Sequence, residues 1–417
     1  GVRVGAERDP ALLAARAADH LEFLCSRLPT RRVGSRGNQE AAAYIAAAFC
    51  SLGYRVGTPE FTCIDWEHEG AECDIGGESF AVEPSPYSLG CDVAGCLRPV
   101  GSRSELAAVQ GGGGILLLHG DLAREQLMPK DFPFYNPAEH REVIRLLEEK
   151  RPAALICATT RNPELAGAIY PFPLIEDGDF DIPSVFTTDE VGRQIMANAG
   201  RATRLVSRAR RIPSTGCNVV AGLNPAARGK IVVCAHFDAK IGTPGALDNA
   251  AGVVTLLCLA EMLENSDPGA GVELLALNGE DYYGANGERS YLEQNRDGLD
   301  RILLNVNMDA LGFVDGRTAY SLYEVPGSIA AAVREVFSGY PGMVEGEAWY
   351  QSDHMVFVMN GRPAVAITSD KFMEVEARFA HTAADTPDLV EVATLVETAR
   401  AVSELIGRLS RAVWPAA

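Results

Sequence analysis

The chain has no Cys-x-x-Cys pair, no unbroken run of about 18 apolar residues, only 7 histidines, and fewer bases (37) than acids (56). Each shortage excludes something. Without paired cysteines a thiolate zinc site is not expected. Without a long apolar run no membrane span is expected. A formal net charge of -19 speaks against a nucleic-acid or anionic-membrane partner, since both require a basic face. No Gly-Lys-Ser/Thr follows Gly112–Gly114, so these glycines read as a turn and not as a phosphate loop. The Gly-x-Ser-x-Gly elbow of serine hydrolases and the dinucleotide fingerprint are missing too.

The ten cysteines lack the spacing of a disulfide framework. Cys157, Cys234 and Cys258 sit in apolar runs and read as buried thiols, the usual state in a reducing compartment. Cys63, Cys73, Cys91 and Cys96 lie in turn-rich sequence and leave room for one bridge. The first residues do not read as a secretory leader. The expectation is therefore a cytoplasmic protein, with secretion left open if the start is trimmed.

What is present is ordinary globular composition, 47% hydrophobic and 22% charged, over 417 residues, enough for two or three domains. Residues 10–28 read as a helix. A second helix, "QEAAAYIAAAFCSLGY", is expected to be capped by Asn38 and to stop at Gly53. From about 65 to 211, short strands with frequent Gly and Pro dominate. There, "PKDFPFYNPAEH" is either a lid or a locally packed surface loop. From 212 onward strands alternate with helices. "KIVVCAHFD", "GVELLALNGED", "RILLNVNMDALG" and "RPAVAITSD" are short apolar runs of the kind covered on both faces. This predicts an α/β fold with a mixed, mostly parallel central sheet and helices on both faces. The first 64 residues are too short for a core of their own. Residues 1–64 and 212–417 are therefore expected to form one domain, interrupted by a β-rich insert over 65–211.

Ligands of open parallel sheets sit beyond the C-terminal ends of the strands. Acids and histidines collect at those ends here: His236 and Asp238, Glu280 and Asp281, Asp309, and further on His381. His236 and Asp238 are two apart in extended chain and face one side. A carboxylate so placed can accept the second ring N–H of a metal-bound imidazole. Asp248 opens a loop into a helix, where it can cap, bind metal, or do both. Two imidazoles with three or four carboxylates suit zinc or a similar first-row ion. His354 reads as structural, and Asp385 and Thr386 as caps of the terminal helix.

The segments "HFD", "ALDNAAG", "NGEDYYGANGERSYL", "NMDALG" and "FAHTAADT", in that order, resemble the zinc aminopeptidases of peptidase family M28. "YQSDHMVF" fits the family's Ser-Asp-His segment, and the first helix pair is similar as well. The insert resembles the protease-associated (PA) domain found at this point in the family. The resemblance implies two zinc ions and a peptide substrate. His236 and Asp309 would hold one ion, Asp281 and His381 the other, with Asp248 between them and its bond to Asn249 cis. Glu280 would be the general base and Asp238 would orient His236. Such ion pairs sit about 3.5–4 Å apart. The sequence departs from the family in two places. Asp281 stands where glutamate is usual, and the oxyanion-stabilising tyrosine has no clear counterpart; Ala380 occupies one of its places and Tyr350 lies near the other. A carboxypeptidase, a one-zinc glutaminyl cyclase and a non-catalytic scaffold are the alternatives. The oligomeric state is left open.

Overall fold

A computed structural model describes residues 9–161 and 170–413. The reading of the extreme N-terminus as free of a leader lies outside them. The chain divides into two compact units, one built from residues up to Cys63 and from Thr215 onward, the other from Ile64–Ser214.

The first unit holds an eight-stranded sheet. Its strands are β1 (Arg55–Gly57), β2 (Val219–Leu223), β3 (Lys230–His236), β4 (Gly271–Leu277), β5 (Ile302–Met308), β6 (Thr318–Tyr323), β7 (Met343–Glu345) and β8 (Ala364–Ser369). Their order across the sheet is β1-β2-β4-β3-β5-β8-β6-β7. The four central strands β4, β3, β5 and β8 are parallel. Antiparallel pairs flank them on both sides, β2 against β4 and β6 against β8. Sequence patterning identified the central strands. It missed β6 and β7, which lack the bounded apolar run of a strand buried on both faces.

The longer helices of this unit are α1 (Pro10–Glu22), α2 (Arg36–Ser51), α3 (Ala251–Leu263), α4 (Asn286–Gln294), α5 (Gly327–Ser338) and α6 (Val392–Val413). Alternate residues of β3 serve opposite faces. Ile231, Val233 and Ala235 join one core with Leu13 and Leu21 of α1, Ile45 of α2, Val253 and Leu257 of α3, and Val402 of α6. On the other face, Cys234 meets Asn307 of β5. Helix α3 is apolar on nearly every side and correspondingly buried. The stretch Ala246–Leu263 is long and apolar enough to cross a membrane by hydropathy averaging, although no such span was expected; 94% of it is buried inside the fold, and the average runs across Asp248 and Glu261.

The cap of α2 differs from the sequence expectation. Ser35 is the N-cap and accepts from the Asn38 amide, and the helix starts at Arg36. Asn38 is thereby free to face inward, where its side chain bonds the carbonyl of Arg31 and the amide group of Asn278. Gly53 ends the helix with φ +83°, as a C′ glycine should.

The inserted unit carries a second eight-stranded sheet. Its core strands Ile115–Leu118, Ala154–Thr159 and Ser184–Thr188 are parallel. The loop "PKDFPFYNPAEH" is tied down within its own unit: the Lys130 amide donates to Asp177, and Asn136 donates to the Pro129 carbonyl. Cys73, Cys91 and Cys96 carry thiols, so no bridge forms among the four cysteines of this region.

Candidate metal centre

The acids and histidines of the strand ends converge. β3 runs straight into His236 and Asp238, both buried. Arg31, itself fully buried, fixes the loop that follows. Its guanidinium donates to the carbonyls of Phe237 (3.1 Å), Pro244 (2.7 Å) and Gly245 (3.0 Å), and back to Leu24 (2.7 Å). Sequence reasoning overlooked this residue, because carbonyl acceptors spread from Leu24 to Gly245 leave no local signal.

Asp248 sits in non-helical backbone just before α3, and its bond to Asn249 is cis. It does not cap the helix. Asn249 does: its Oδ1 accepts from Gly252 and Ala310, at 3.2 Å each, and its Nδ2 donates to the Met308 carbonyl. One asparagine thus joins the start of α3 to the end of β5. Asp385 adds the second brace. It accepts from the amides of Leu247 and Asp248, so it is no cap of α6. Thr386 bonds only its own turn, to Ala384 and Asp388.

Asp238 supports more than the histidine. His236 Nδ1 lies 3.1 Å from the Asp238 carbonyl and 3.3 Å from its Oδ1. The carboxylate also accepts from the amides of Gly279 (3.0 Å) and Asp281 (2.9 Å), and so carries the loop that presents Glu280 and Asp281. Asp309 is held by the Ser352 hydroxyl, which in turn accepts from Asn307 Nδ2. His354, read as structural, donates from Nε2 to the Trp349 carbonyl at 2.7 Å, and burial pushes its imidazole down to about 4. Ala310 and His381 both adopt left-handed backbone, φ +59° and +63°. For non-glycine residues this is a local cost that tends to cluster at functional sites.

The side chains form two groups that share Asp248: His236, Asp248, Glu280 and Asp309 in one, Asp248, Asp281 and His381 in the other. His236 Nε2 lies 3.2 Å from Asp248 Oδ1, 3.3 Å from Glu280 Oε2 and 3.6 Å from Asp309 Oδ2. His381 Nε2 lies 2.9 Å from Asp248 Oδ2 and 3.2 Å from Asp281 Oδ1. Glu280 therefore falls among the groups around His236, where the sequence had placed it only beside them.

Electrostatics follow the crowding. Burial alone would lower the His236 imidazole, but Glu280 and Asp309 outweigh it and hold it well above its ordinary value. His381 is raised in the same way, chiefly by Asp281 and Asp248 against burial. Burial works to raise Asp248, yet the imidazoles of His236 and His381 beside it keep it well below the usual range. Burial, reinforced by Asp281, lifts Glu280 far above it. One further acid was not foreseen. Burial, opposed by His381 and reinforced by Asp248, Asp309 and Asp281, pushes Glu376 up to about 8. Its position five residues before His381 was the available signal.

These residues fit a divalent cation. His236 Nε2 and Asp281 Oδ2 are buried and find no hydrogen bond, although carboxylates or an imidazole lie beside each. Buried polar atoms are rarely left so. The donors are nitrogen and oxygen only, a set that zinc accepts. The tyrosine position gains no support: Tyr350 is 60% exposed and packs edge-on against Tyr323, and Ala380 is fully buried.

Residues 218–406 match the model of peptidase family M28. Over that span, which is less than half of its length, the chain is similar to the family. The M28 match begins at β2 and ends within α6, so it contains every member of both groups. A probable lipoprotein aminopeptidase, LpqL of Mycobacterium tuberculosis, is 26% identical over 80% of this chain, and the alignment spans 64% of that relative. In fold, the chain is similar to an aminopeptidase from Aneurinibacillus sp. strain AM-1 (TM-score 0.73, 21% identity, 95% of each chain). It is also similar to BSAP, a zinc aminopeptidase from Bacillus subtilis (TM-score 0.72, 18% identity, 97% of this chain and 96% of that one). Both full-length likenesses include the insert of this chain.

Proposed function

We propose that the chain is a zinc-dependent aminopeptidase that removes N-terminal residues from peptides with two ions. The observation that carries this is the placement of Asp248, whose two oxygens face two different imidazoles at 3.2 and 2.9 Å. A carboxylate so placed is suited to bridge two cations. His236 and Asp309 hold one on this reading, and Asp281 and His381 the other. When bound, such ions polarise the scissile carbonyl and lower the pKa of the attacking water.

The remaining steps belong to the chain's own residues. Glu280 takes the proton from the attacking water and returns it to the leaving amine. Its side chain is 18% exposed and that of His381 is 26% exposed, against none for His236, so the site opens on the Glu280–His381 side. Glu280 acts in its ionised, basic form, which cations held among these acids would favour. Asp238 keeps His236 and the Glu280 loop in place. The inserted unit is read as PA-like from its place in the chain between β1 and β2.

The test is a panel of chromogenic peptides with free or blocked N-termini, with and without chelator and added zinc. Cleavage of free N-termini only, abolished by chelator and restored by zinc, supports the reading. Equal cleavage of N-blocked peptides with free C-termini would make the enzyme a carboxypeptidase instead.

A further inference from the structure

Two acids behind the ligand groups have no part in this chemistry. Glu288, in the first turn of α4, is 1% exposed, and Asp353, at the head of the short helix His354–Val358, is 2% exposed. Their carboxyl groups lie within hydrogen-bonding range of each other. Apart from that contact, no N–H or O–H of another described residue reaches either Glu288 oxygen or Asp353 Oδ2.

An ionised carboxylate has acceptors only, so two of them cannot hydrogen-bond. A proton on one supplies the donor and removes the repulsion between like charges. The titratable groups facing the pair do not replace that proton. They are Cys234 and His236 from β3, Asp238 just beyond it, and Asp309 beyond β5. Two of these are acids, and Asp248, Glu280 and Asp309 already compete for His236.

The position of the pair connects two parts of the site. Glu288 packs under the loop of Glu280 and Asp281 so closely that any Cβ at Gly279 would collide with its Oε2. Asp353 follows Ser352, whose hydroxyl holds Asp309. We propose that Glu288 and Asp353 hold one proton in common and act as positioning residues, tying the Gly279–Asp281 loop to the segment that supports Asp309.

The electrostatics agree with this geometry. Burial and the neighbouring Asp353 raise Glu288 well above the carboxyl range, and burial brings Asp353 up to about 7. The proton therefore stays at neutral pH, mainly on Glu288. Its existence does not rest on the peptidase reading; its effect on Asp281 and Asp309 as ligands does.

Infrared spectroscopy of the metal-free protein at neutral pH reads the proton directly. Glu280 and Glu376 contribute protonated carboxyls of their own, so the reading is a difference: subtracting the spectrum of either Glu288→Gln or Asp353→Asn from that of the parent is expected to leave one protonated-carboxyl component that shifts in D2O. In the second variant the new amide donates to Glu288 and lets it ionise. A difference spectrum without that component in both variants overturns the shared proton.

Zinc affinity of the same proteins reads the positioning role. Glu288→Gln replaces O–H by N–H and is expected to bind zinc nearly as the parent does. Glu288→Leu is expected to lose about 10–100-fold, the usual effect of removing a group that orients ligands. Equal affinities for Gln and Leu overturn the role. If the Leu variant does not fold, thermal melting of the metal-free Gln variant decides. The parent keeps a proton that its unfolded chain has released, so its stability drops as pH rises above the ordinary glutamate range. The Gln variant should lose the pair's share of that dependence and keep the share of Glu280 and Glu376, and an unchanged pH dependence contradicts the proposal.

Discussion

Asp385 accepts the amide hydrogens of Leu247 and Asp248 at 2.7 and 3.0 Å, so the backbone that presents the shared aspartate hangs on a carboxylate 137 residues away. Asp385→Ala leaves two buried amides without an acceptor, at about 1–3 kcal/mol each. Urea unfolding of the metal-free variant should show a loss of roughly that size per amide, and dialysis should strip its zinc faster than from the parent. Asp385→Asn keeps an acceptor for one amide and should fall between.

Glu280→Gln separates base from ligand. The account predicts a fall in kcat of about 10²–10⁴, the range for a lost general base, with zinc content unchanged. Elemental analysis beside the kinetics checks both. Loss of one zinc equivalent with the activity would mean that the 3.3 Å approach to His236 reflects ligation.

His381→Ala removes the one imidazole of the second group and leaves His236, Asp248 and Asp309 intact. Zinc stoichiometry should fall from two to one by equilibrium dialysis. Asp281→Ala should do the same, since its Oδ1 is the other approach to His381, at 3.2 Å. Loss of both ions from either variant would contradict independent halves.

Zinc must also displace protons. In the metal-free protein His236 and His381 titrate well above the ordinary imidazole value, against burial, because carboxylates surround them. Binding zinc requires neutral imidazoles. Affinity should therefore rise with pH through and above neutrality, with protons released on binding. Calorimetry in buffers of different ionisation heat measures that release.

Much of this was legible in the sequence because it is local. Buried parallel strands are short apolar runs, and their ends carry His236, Glu280, Asp281 and Asp309 in chain order. The errors share one cause. Asn38 and Asp385 read as helix caps, and a cap was one of the roles open to Asp248 beside metal binding, since short polar side chains at helix starts usually cap. In the structure Ser35 caps in place of Asn38, Asn249 makes the bond at the start of α3, and Asn38, Asp248 and Asp385 all face distant residues. Arg31 and the Glu288–Asp353 pair were missed for the same reason: their partners are fixed by the fold and not by spacing.

The most direct measurement titrates metal-free protein with zinc while following both bound metal and cleavage of a free aminoacyl anilide. The account predicts negligible cleavage at zero zinc and full cleavage at two equivalents, with the N-acetylated anilide inert throughout. Full activity in metal-free protein, or equal cleavage of the acetylated substrate, would contradict it.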